Sequence, residues 1–304
     1  MAHQATVERV YGRRWQVPSG LILVLPALLF LAAFMIYPVA NLLYLSFHDY
    51  SPLRSADVEW VGVRNYAVAI TEPATRASLW TTVVFTLSSV AIEVLVALFV
   101  AVLMGRVTLD YGGRVGRLLS RAFAGGFIIP FAIPSVTAAV IWKMFLDPQI
   151  GPVDALIGSP IPWLARYPLL TIVVIDAWKT MPFVMFLLYA AIMSIEPAQF
   201  EAAKMDGANA WQEFRHLTLP AILPVAIITT AFRAVDAFTK AFDIILATTG
   251  GGPGQATMVF PLYIWRTAFV SLHFGEASAL AVIAIVISGA IGASLLSLNR
   301  RAGR

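Results

Sequence analysis

The chain has 304 residues, of which 59% are apolar and 12% charged, with a formal net charge of +4 and no cysteine. Its mean hydropathy of +0.80 excludes an ordinary soluble domain of this length and predicts an integral membrane protein. Without cysteine, disulfides and thiol chemistry are also excluded.

Six stretches are apolar over the roughly 20 residues that a spanning helix needs, since a backbone in lipid must satisfy its own hydrogen bonds. They cover about residues 21–45, 80–104, 122–145, 169–193, 222–246 and 278–298. Pro130 and Pro134 predict a kink in the third helix. The polar segments between the helices are too short to bury cores of their own. We therefore expect an all-α membrane protein with six transmembrane helices in a single domain, residues 1–304.

The distribution of Lys and Arg predicts the topology. With the N-terminus in the cytosol, twelve of the 21 Lys and Arg residues fall on the inside and six on the outside, and three lie within helices. This excess fits the positive-inside rule, so both termini are expected in the cytosol. The net positive charge follows from the same rule and does not indicate nucleic-acid binding.

A polar segment, residues 194–220, separates the fourth and fifth apolar stretches on the predicted cytosolic side. Pro197 suits the first turn of a helix, and Gly207 is expected to end that helix. Asn209 can cap a second short helix, about residues 210–217, that stops before Pro220. The segment is either a docking surface for another protein or an ordinary solvated loop.

The spacing within this segment resembles the EAA loop of ABC importer permeases. That pattern is E-A-A, three residues, G, nine residues and I-x-L-P, and here the isoleucine is replaced by Leu217. We therefore call residues 194–220 the EAA loop. The resemblance implies a type I ABC importer permease fold and a loop that seats in a cleft of a cytosolic ATPase. The residues implied in this contact are Glu201, Ala202, Ala203, Asp206 and Gly207.

Two further segments resemble carbohydrate permeases of the maltose type. Residues 60–66, Trp-Val-Gly-Val-Arg-Asn-Tyr, are similar to the F-x-G-L-x-N-Y segment before their second helix. Residues 248–254, Thr-Thr-Gly-Gly-Gly-Pro-Gly, are similar to their L-T-x-G-G-P segment after the fifth helix. The glycine-rich segment lacks the Gly-Lys-Ser/Thr ending of a P-loop, so we expect an ordered exterior turn. With no Walker motif, the chain is expected neither to hydrolyse ATP nor to act as an enzyme.

Charged residues inside the predicted helices are candidate functional residues, because charge in hydrocarbon is costly. The fifth helix contains Arg233, Asp236, Lys240 and Asp243, which fall on one face with alternating sign. This stripe is either a ladder of paired charges that lines the pathway or a set of donors and acceptors for substrate. The second helix contains a single Glu93.

The fourth helix is the stronger candidate for substrate contact. Residues 176–183, Asp-Ala-Trp-Lys-Thr-Met-Pro-Phe, align without gaps with a maltose-permease segment whose first, fourth, fifth and eighth residues contact sugar. The resemblance implies substrate-binding roles for Asp176, Lys179, Thr180 and Phe183, and more weakly for Asp236. None of the first four is identical to its counterpart. Asp176 and Lys179 indicate either a more polar or anionic ligand, or an internal ion pair.

Together these features predict the permease subunit of an ATP-driven, binding-protein-dependent importer for a sugar, glycoside or polyol. The alternatives are a glycerol-phosphate-type ABC importer permease and an ion-coupled secondary transporter. The resemblance implies these partners: a second permease subunit, a cytosolic ATPase dimer that carries ATP and magnesium, an extracytoplasmic solute-binding protein and membrane lipid. No cofactor or metal site is expected in this chain, which is predicted to be a multi-pass protein of the bacterial inner membrane.

Overall fold

The computed structural model of the protein describes residues 18–54, 57–110 and 125–302, and this part of the chain is mainly helical. The helices are α1 Pro18–Leu31, α2 Tyr37–Ser46, α3 Arg64–Thr71, α4 Pro73–Asp110, α5 Gly125–Ala132, α6 Ser135–Phe145, α7 Pro152–Ile157, α8 Trp163–Arg166, α9 Pro168–Met193, α10 Pro197–Met205, α11 Ala210–Glu213, α12 Leu219–Thr248, α13 Phe260–Trp265 and α14 Phe274–Ala302. Two short strands, β1 His48–Asp49 and β2 Glu59–Trp60, pair antiparallel.

Within the described residues, five helical segments are long and apolar enough to cross a membrane, or six if the bent pair α5 and α6 is one span. The five are Leu23–Ser46, Pro73–Thr108, Pro168–Met193, Ala210–Thr248 and Phe274–Ser297. The first of them joins α1 to α2 through a π-helical turn at Ala32–Ile36. The prediction of an all-α membrane protein is confirmed.

The third predicted span is broken rather than gently kinked. Helices α5 and α6 meet at 101° across a two-residue break. Pro134 lies at this break with extended backbone angles. Proline lacks an N–H donor and disfavours helical geometry in the residue before it, so the helix is interrupted here. The first residues of this span, 122–124, lie outside the described residues.

Three long helices form the centre of the bundle. Helix α4 packs along α9, and α12 contacts both. The small residues Ala97 and Ala101 of α4 face Met185 and Leu188 of α9 in one buried cluster. A second buried cluster combines Phe85 of α4 with side chains of α9 and α12. Because these helices are in direct contact, polar side chains on their shared faces can reach one another.

The segment at residues 60–66 closes the end of the bundle opposite the EAA loop. Asn65 Nδ2 donates to the carbonyl oxygens of Ser46 at 3.0 Å and His48 at 2.9 Å, and the Tyr66 hydroxyl donates to Ser46 Oγ at 2.7 Å. Gly62 adopts φ +59°, a conformation that glycine reaches without steric cost. The segment therefore fixes the end of α2 against α3.

The glycine-rich segment after α12 is an ordered turn, as predicted. Thr257 Oγ1 donates to the Gly252 carbonyl at 2.8 Å and lies 2.7 Å from Thr249 Oγ1. Arg266 donates to the Gly250 carbonyl at 2.8 Å. These contacts satisfy the polar groups of the turn internally.

Candidate functional site

A cavity of about 270 Å³ lies where α5, α6, α9 and α12 converge. Its lining combines three cations, two carboxylates, two hydroxyls and three phenyl rings. The residues are Phe131, Ser135, Asp176, Lys179, Thr180, Phe183, Phe232, Arg233, Asp236, Ala237, Lys240 and Ile244. The broken third span thus contributes Phe131 from α5 and Ser135 from α6 to the same wall.

Arg233 is the centre of a buried polar network that joins three helices. Its Nε donates to both carboxylate oxygens of Glu93 on α4, at 2.8 and 2.9 Å. Its Nη2 donates to Thr180 Oγ1 on α9 at 3.1 Å and lies 3.5 Å from Asp176 Oδ2. Asp176 Oδ2 also accepts a hydrogen bond from Ser89 on α4 at 2.5 Å. We call Ser89, Glu93, Asp176, Thr180 and Arg233 the arginine hub.

The hub is almost inaccessible to solvent, since Arg233 is 2% exposed and Glu93 0%. An isolated ion of this kind would be strongly disfavoured away from water, whereas close pairing and hydrogen bonding with carboxylates offset much of that cost. Arg233 therefore joins α4, α9 and α12 at the wall of the cavity.

Asp236 and Lys240 extend the network from the hub towards solvent. Asp236 Oδ2 accepts from Arg233 Nη1, and Asp236 Oδ1 lies 2.7 Å from Lys240 Nζ. The exposed fraction of the side chain rises along this series, from 3% at Arg233 to 18% at Asp236 and 73% at Lys240. The predicted stripe of alternating charge is thus an ion-paired ladder over three of its four members.

Three phenyl rings also line the cavity. Phe131 and Phe183 stack with centroids 5.4 Å apart, and Phe232 lies 5.5 Å from Phe183. The Lys179 ammonium lies over the Phe131 ring at 5.7 Å from its centroid, a cation–π geometry. We call these three rings the aromatic shelf.

The EAA loop forms two short helices separated by a tight turn, as its sequence predicts. Helix α10 ends at Met205, and Gly207 has φ +76°. Asn209 Oδ1 then accepts from the backbone N–H groups of Trp211 and Gln212, both at 3.0 Å, and the Gln212 side chain accepts from Asn209 N at 2.8 Å. This reciprocal capping box fixes the start of α11.

Two contacts attach the EAA loop to the bundle. Phe200 of α10 is buried, at 6% exposed. Arg106 near the end of α4 donates to the Ala210 carbonyl at 2.6 Å and lies 3.9 Å from Glu213. Arg106 therefore links the loop to α4, the helix that contributes Ser89 and Glu93 to the hub.

The predicted end of the second loop helix, before Pro220, is wrong. Helix α11 passes through a π-helical turn, Phe214–Thr218, directly into α12. Leu219 N donates to the Phe214 carbonyl across this turn, and Pro220 lies in the first turn of α12. Proline is tolerated at this point because the π-helical turn before it shifts the pattern of backbone hydrogen bonds. Pro220 has no N–H group that would need a partner there.

The predicted substrate residues lie together: Asp176, Lys179, Thr180, Phe183 and Asp236 all line the cavity. Asp243 does not line it and is exposed. Trp178, on the same helix as Lys179, does not line it and packs edge-on against Trp142.

The sequence did not identify the partner of Glu93. Its ion pair with Arg233 spans 140 residues, so no local spacing reveals it. The available signal was that a lone carboxylate in hydrocarbon needs a cation. The internal ion pair considered for Asp176 is formed with Arg233, not Lys179, in the described part of the chain.

Comparison with known proteins places this helical bundle in a class of transport proteins. Residues 97–302 match the family of binding-protein-dependent transport system inner membrane components. The chain belongs to this family. It is a multi-pass permease subunit of an ABC importer in the inner membrane, and its family consists of transport subunits rather than enzymes.

Two relatives are similar along most of their length. The trehalose/maltose transport system permease protein MalF of Thermococcus litoralis is 31% identical over 88% of this chain and 89% of the relative. The sn-glycerol-3-phosphate transport system permease protein UgpA of Yersinia pestis is 31% identical over 88% of each chain. A chain in the crystal structure of a bacterial alginate ABC transporter, with its periplasmic protein bound to an alginate pentasaccharide, has a TM-score of 0.76 at 22% identity. The likeness covers 92% of this chain and 93% of that one, and shows a shared fold.

Proposed function

We propose that this permease subunit translocates a hydroxylated solute, a sugar, glycoside or polyol, through a pathway that includes the cavity between α9 and α12. The observation that carries the proposal is the convergence of Asp176, Lys179, Thr180, Phe183 and Asp236 on one cavity. Hydroxyl groups of a solute need both donors and acceptors, and the apolar face of a sugar ring packs on aromatic rings. The cavity offers both polar groups and aromatic rings.

The EAA loop is proposed to couple this pathway to a separate ATPase. Glu201, Ala202, Asp206 and Gly207 are exposed, and Ala203 is half-buried. Met205, next to them, is 88% exposed, so the loop presents small, charged and apolar side chains on its surface. The ATPase dimer would carry the ATP and magnesium.

We propose that the termini and the EAA loop are cytosolic and that residues 1–304 form one membrane domain. A second permease subunit would complete the pathway, and a solute-binding protein would deliver cargo at the end formed by residues 47–54, 57–72 and 249–273. ATP and the loaded binding protein would shift an equilibrium between inward-open and outward-open states through their different affinities for the two.

A glycerol phosphate is a second candidate cargo, because the glycerol-3-phosphate permease is as similar to this chain as the trehalose/maltose permease. Both are polyhydroxylated solutes, and both are compatible with the cavity. Family membership favours either one over an ion-coupled secondary transporter.

The proposed coupling is tested by substitutions in the EAA loop. Gly207→Pro forces φ to about −65° where the chain has +76°, and Glu201→Lys reverses a charge on the exposed face. Both should abolish co-purification with the ATPase and ATP-dependent uptake while leaving the protein in the membrane.

Two matched variants serve as controls. Gly207→Asn retains access to positive φ, and Glu59→Lys makes the same charge reversal at the opposite end of the bundle; both should keep ATPase association. If association and uptake survive Gly207→Pro and Glu201→Lys, the EAA loop is not the ATPase contact.

A further inference from the structure

We propose that the cavity selects solutes that carry an anionic group, a carboxylate, sulfonate or phosphate on a hydroxylated ring, and that Lys179 contacts this group. The inference rests on the proposed function, because it takes the cavity to be the cargo site.

The first support is that both carboxylates of the cavity wall already have partners within the protein. Asp176 is hydrogen-bonded to Ser89 and paired with Arg233, and Asp236 lies between Arg233 and Lys240. Among the described residues, Lys179 is the one cavity-lining cation with no carboxylate oxygen within 4.0 Å of its ammonium. Its charge is therefore available to a ligand, whereas the other charges already have partners.

The second support is the balance of charge at the cavity surface. Three cations and two carboxylates line the cavity, a formal excess of one positive charge. Glu93, which would balance it, does not line the cavity and is 0% exposed behind Arg233. An anion in the cavity therefore meets Lys179 directly and is separated from Glu93 by the Arg233 guanidinium.

The third support is the position of Lys179 beside the aromatic shelf. Its ammonium lies over the ring of Phe131, and Phe131 stacks on Phe183 within the shelf. A ring stacked on the shelf would place a substituent at its edge near the ammonium. The cavity volume of about 270 Å³ is just below the roughly 300–1,000 Å³ usual for ligand sites, which favours a monosaccharide-sized unit.

The test is equilibrium binding by calorimetry to the purified complex of both permease subunits with the ATPase and without the binding protein, so that the membrane pathway sets the preference. The reference probe is methyl β-D-glucoside. Methyl β-D-glucuronide, a 6-phosphate and a 6-sulfonate of the same glucoside present the three anions on the same ring. At least one anionic probe should bind about tenfold more tightly than the glucoside, as a charge-assisted contact implies. The preference should weaken as salt is raised.

Substitutions at Lys179 then identify the contact. Lys179→Met should remove the preference for the anionic probe, and Lys179→Arg should retain it. Lys143→Met makes the same change at an exposed lysine of α6 that does not line the cavity, so it should leave the preference intact.

Two results would overturn the inference: no anionic probe binding more tightly than the glucoside, or an anion preference that survives Lys179→Met, as it would if both probes lost affinity by the same factor. Because ATPase association is scored separately through the EAA loop variants, a permease that couples normally yet shows no anion preference refutes only the choice of cargo.

Discussion

The arginine hub and the EAA loop are both polar regions of an apolar protein, but different contacts hold each of them together. In the hub, Arg233 contacts groups on α4 and α9 that lie 53 to 140 residues away. In the loop, the bonds of Asn209 reach only two or three residues. The hub therefore depends on the packing of three helices, whereas the loop can keep its shape while its surroundings move.

This difference suits a protein in which one element transmits motion and another resists it. The capped α11 continues into α12, which carries Arg233, and Arg106 links the loop to α4. A displacement of the loop therefore reaches two of the three helices that meet at the hub. Substitutions in the hub should affect the stability of the whole bundle, and those in the loop should act locally.

The largest effect is expected for Arg233→Met. It leaves Glu93 and Asp176 without their cation in a buried site, which costs about 3–5 kcal/mol when one partner of a buried pair is removed. The free energy of unfolding of the detergent-solubilised chain, followed by tryptophan fluorescence, measures it. Glu93→Gln combined with Arg233→Met should recover part of the loss. A cost below about 1 kcal/mol would mean that the hub does not hold the helices.

A smaller effect is expected for Ser89→Ala, which removes the hydroxyl that donates to Asp176. Leaving a buried acceptor without this donor costs about 1–3 kcal/mol. The matched control is Ser88→Ala, because the Ser88 hydroxyl bonds only to carbonyls of its own helix, at Val84 and Phe85. Equal unfolding free energies for the two variants would contradict a stabilising role for the contact between α4 and α9.

The contrast between the hub and the EAA loop also explains how much of the structure the sequence could predict. The turn at Gly207 and the cap at Asn209 depend on neighbouring residues, so both were predicted correctly from their pattern. The pairing of Glu93 with Arg233 depends on tertiary packing, and periodicity alone does not carry that information. Pro130 and Pro134 predicted a kink in the third span but not the 101° angle between α5 and α6. The resemblance to a maltose-permease segment indicated the cavity-lining residues of α9, but the contribution of Phe131 required the broken span to be seen.

Asn209→Ala should weaken only the EAA loop. The substitution removes the acceptor for the Trp211 and Gln212 amides and costs about 1 kcal/mol of local helix stability. Hydrogen exchange at these two amides should accelerate about fivefold, while amides in the middle of α9 remain unchanged. Asn209→Asp, which can still cap the helix, serves as the control. Faster exchange throughout α9 would show that the loop and the hub form one cooperative unit.

The smallest effect is expected for Lys240→Met, at the solvent end of the ladder. Lys240 is paired with Asp236 at 2.7 Å, yet its side chain is 73% exposed, and exposed ion pairs contribute about 0–1 kcal/mol. Asp236 would keep its contact with Arg233, so no buried charge would be left unpaired. The unfolding free energy should therefore change far less than in Arg233→Met, although both substitutions remove one cation from the same helix. A loss approaching that of Arg233→Met would mean that Lys240 is covered in the folded protein and that the ladder acts as an extension of the hub.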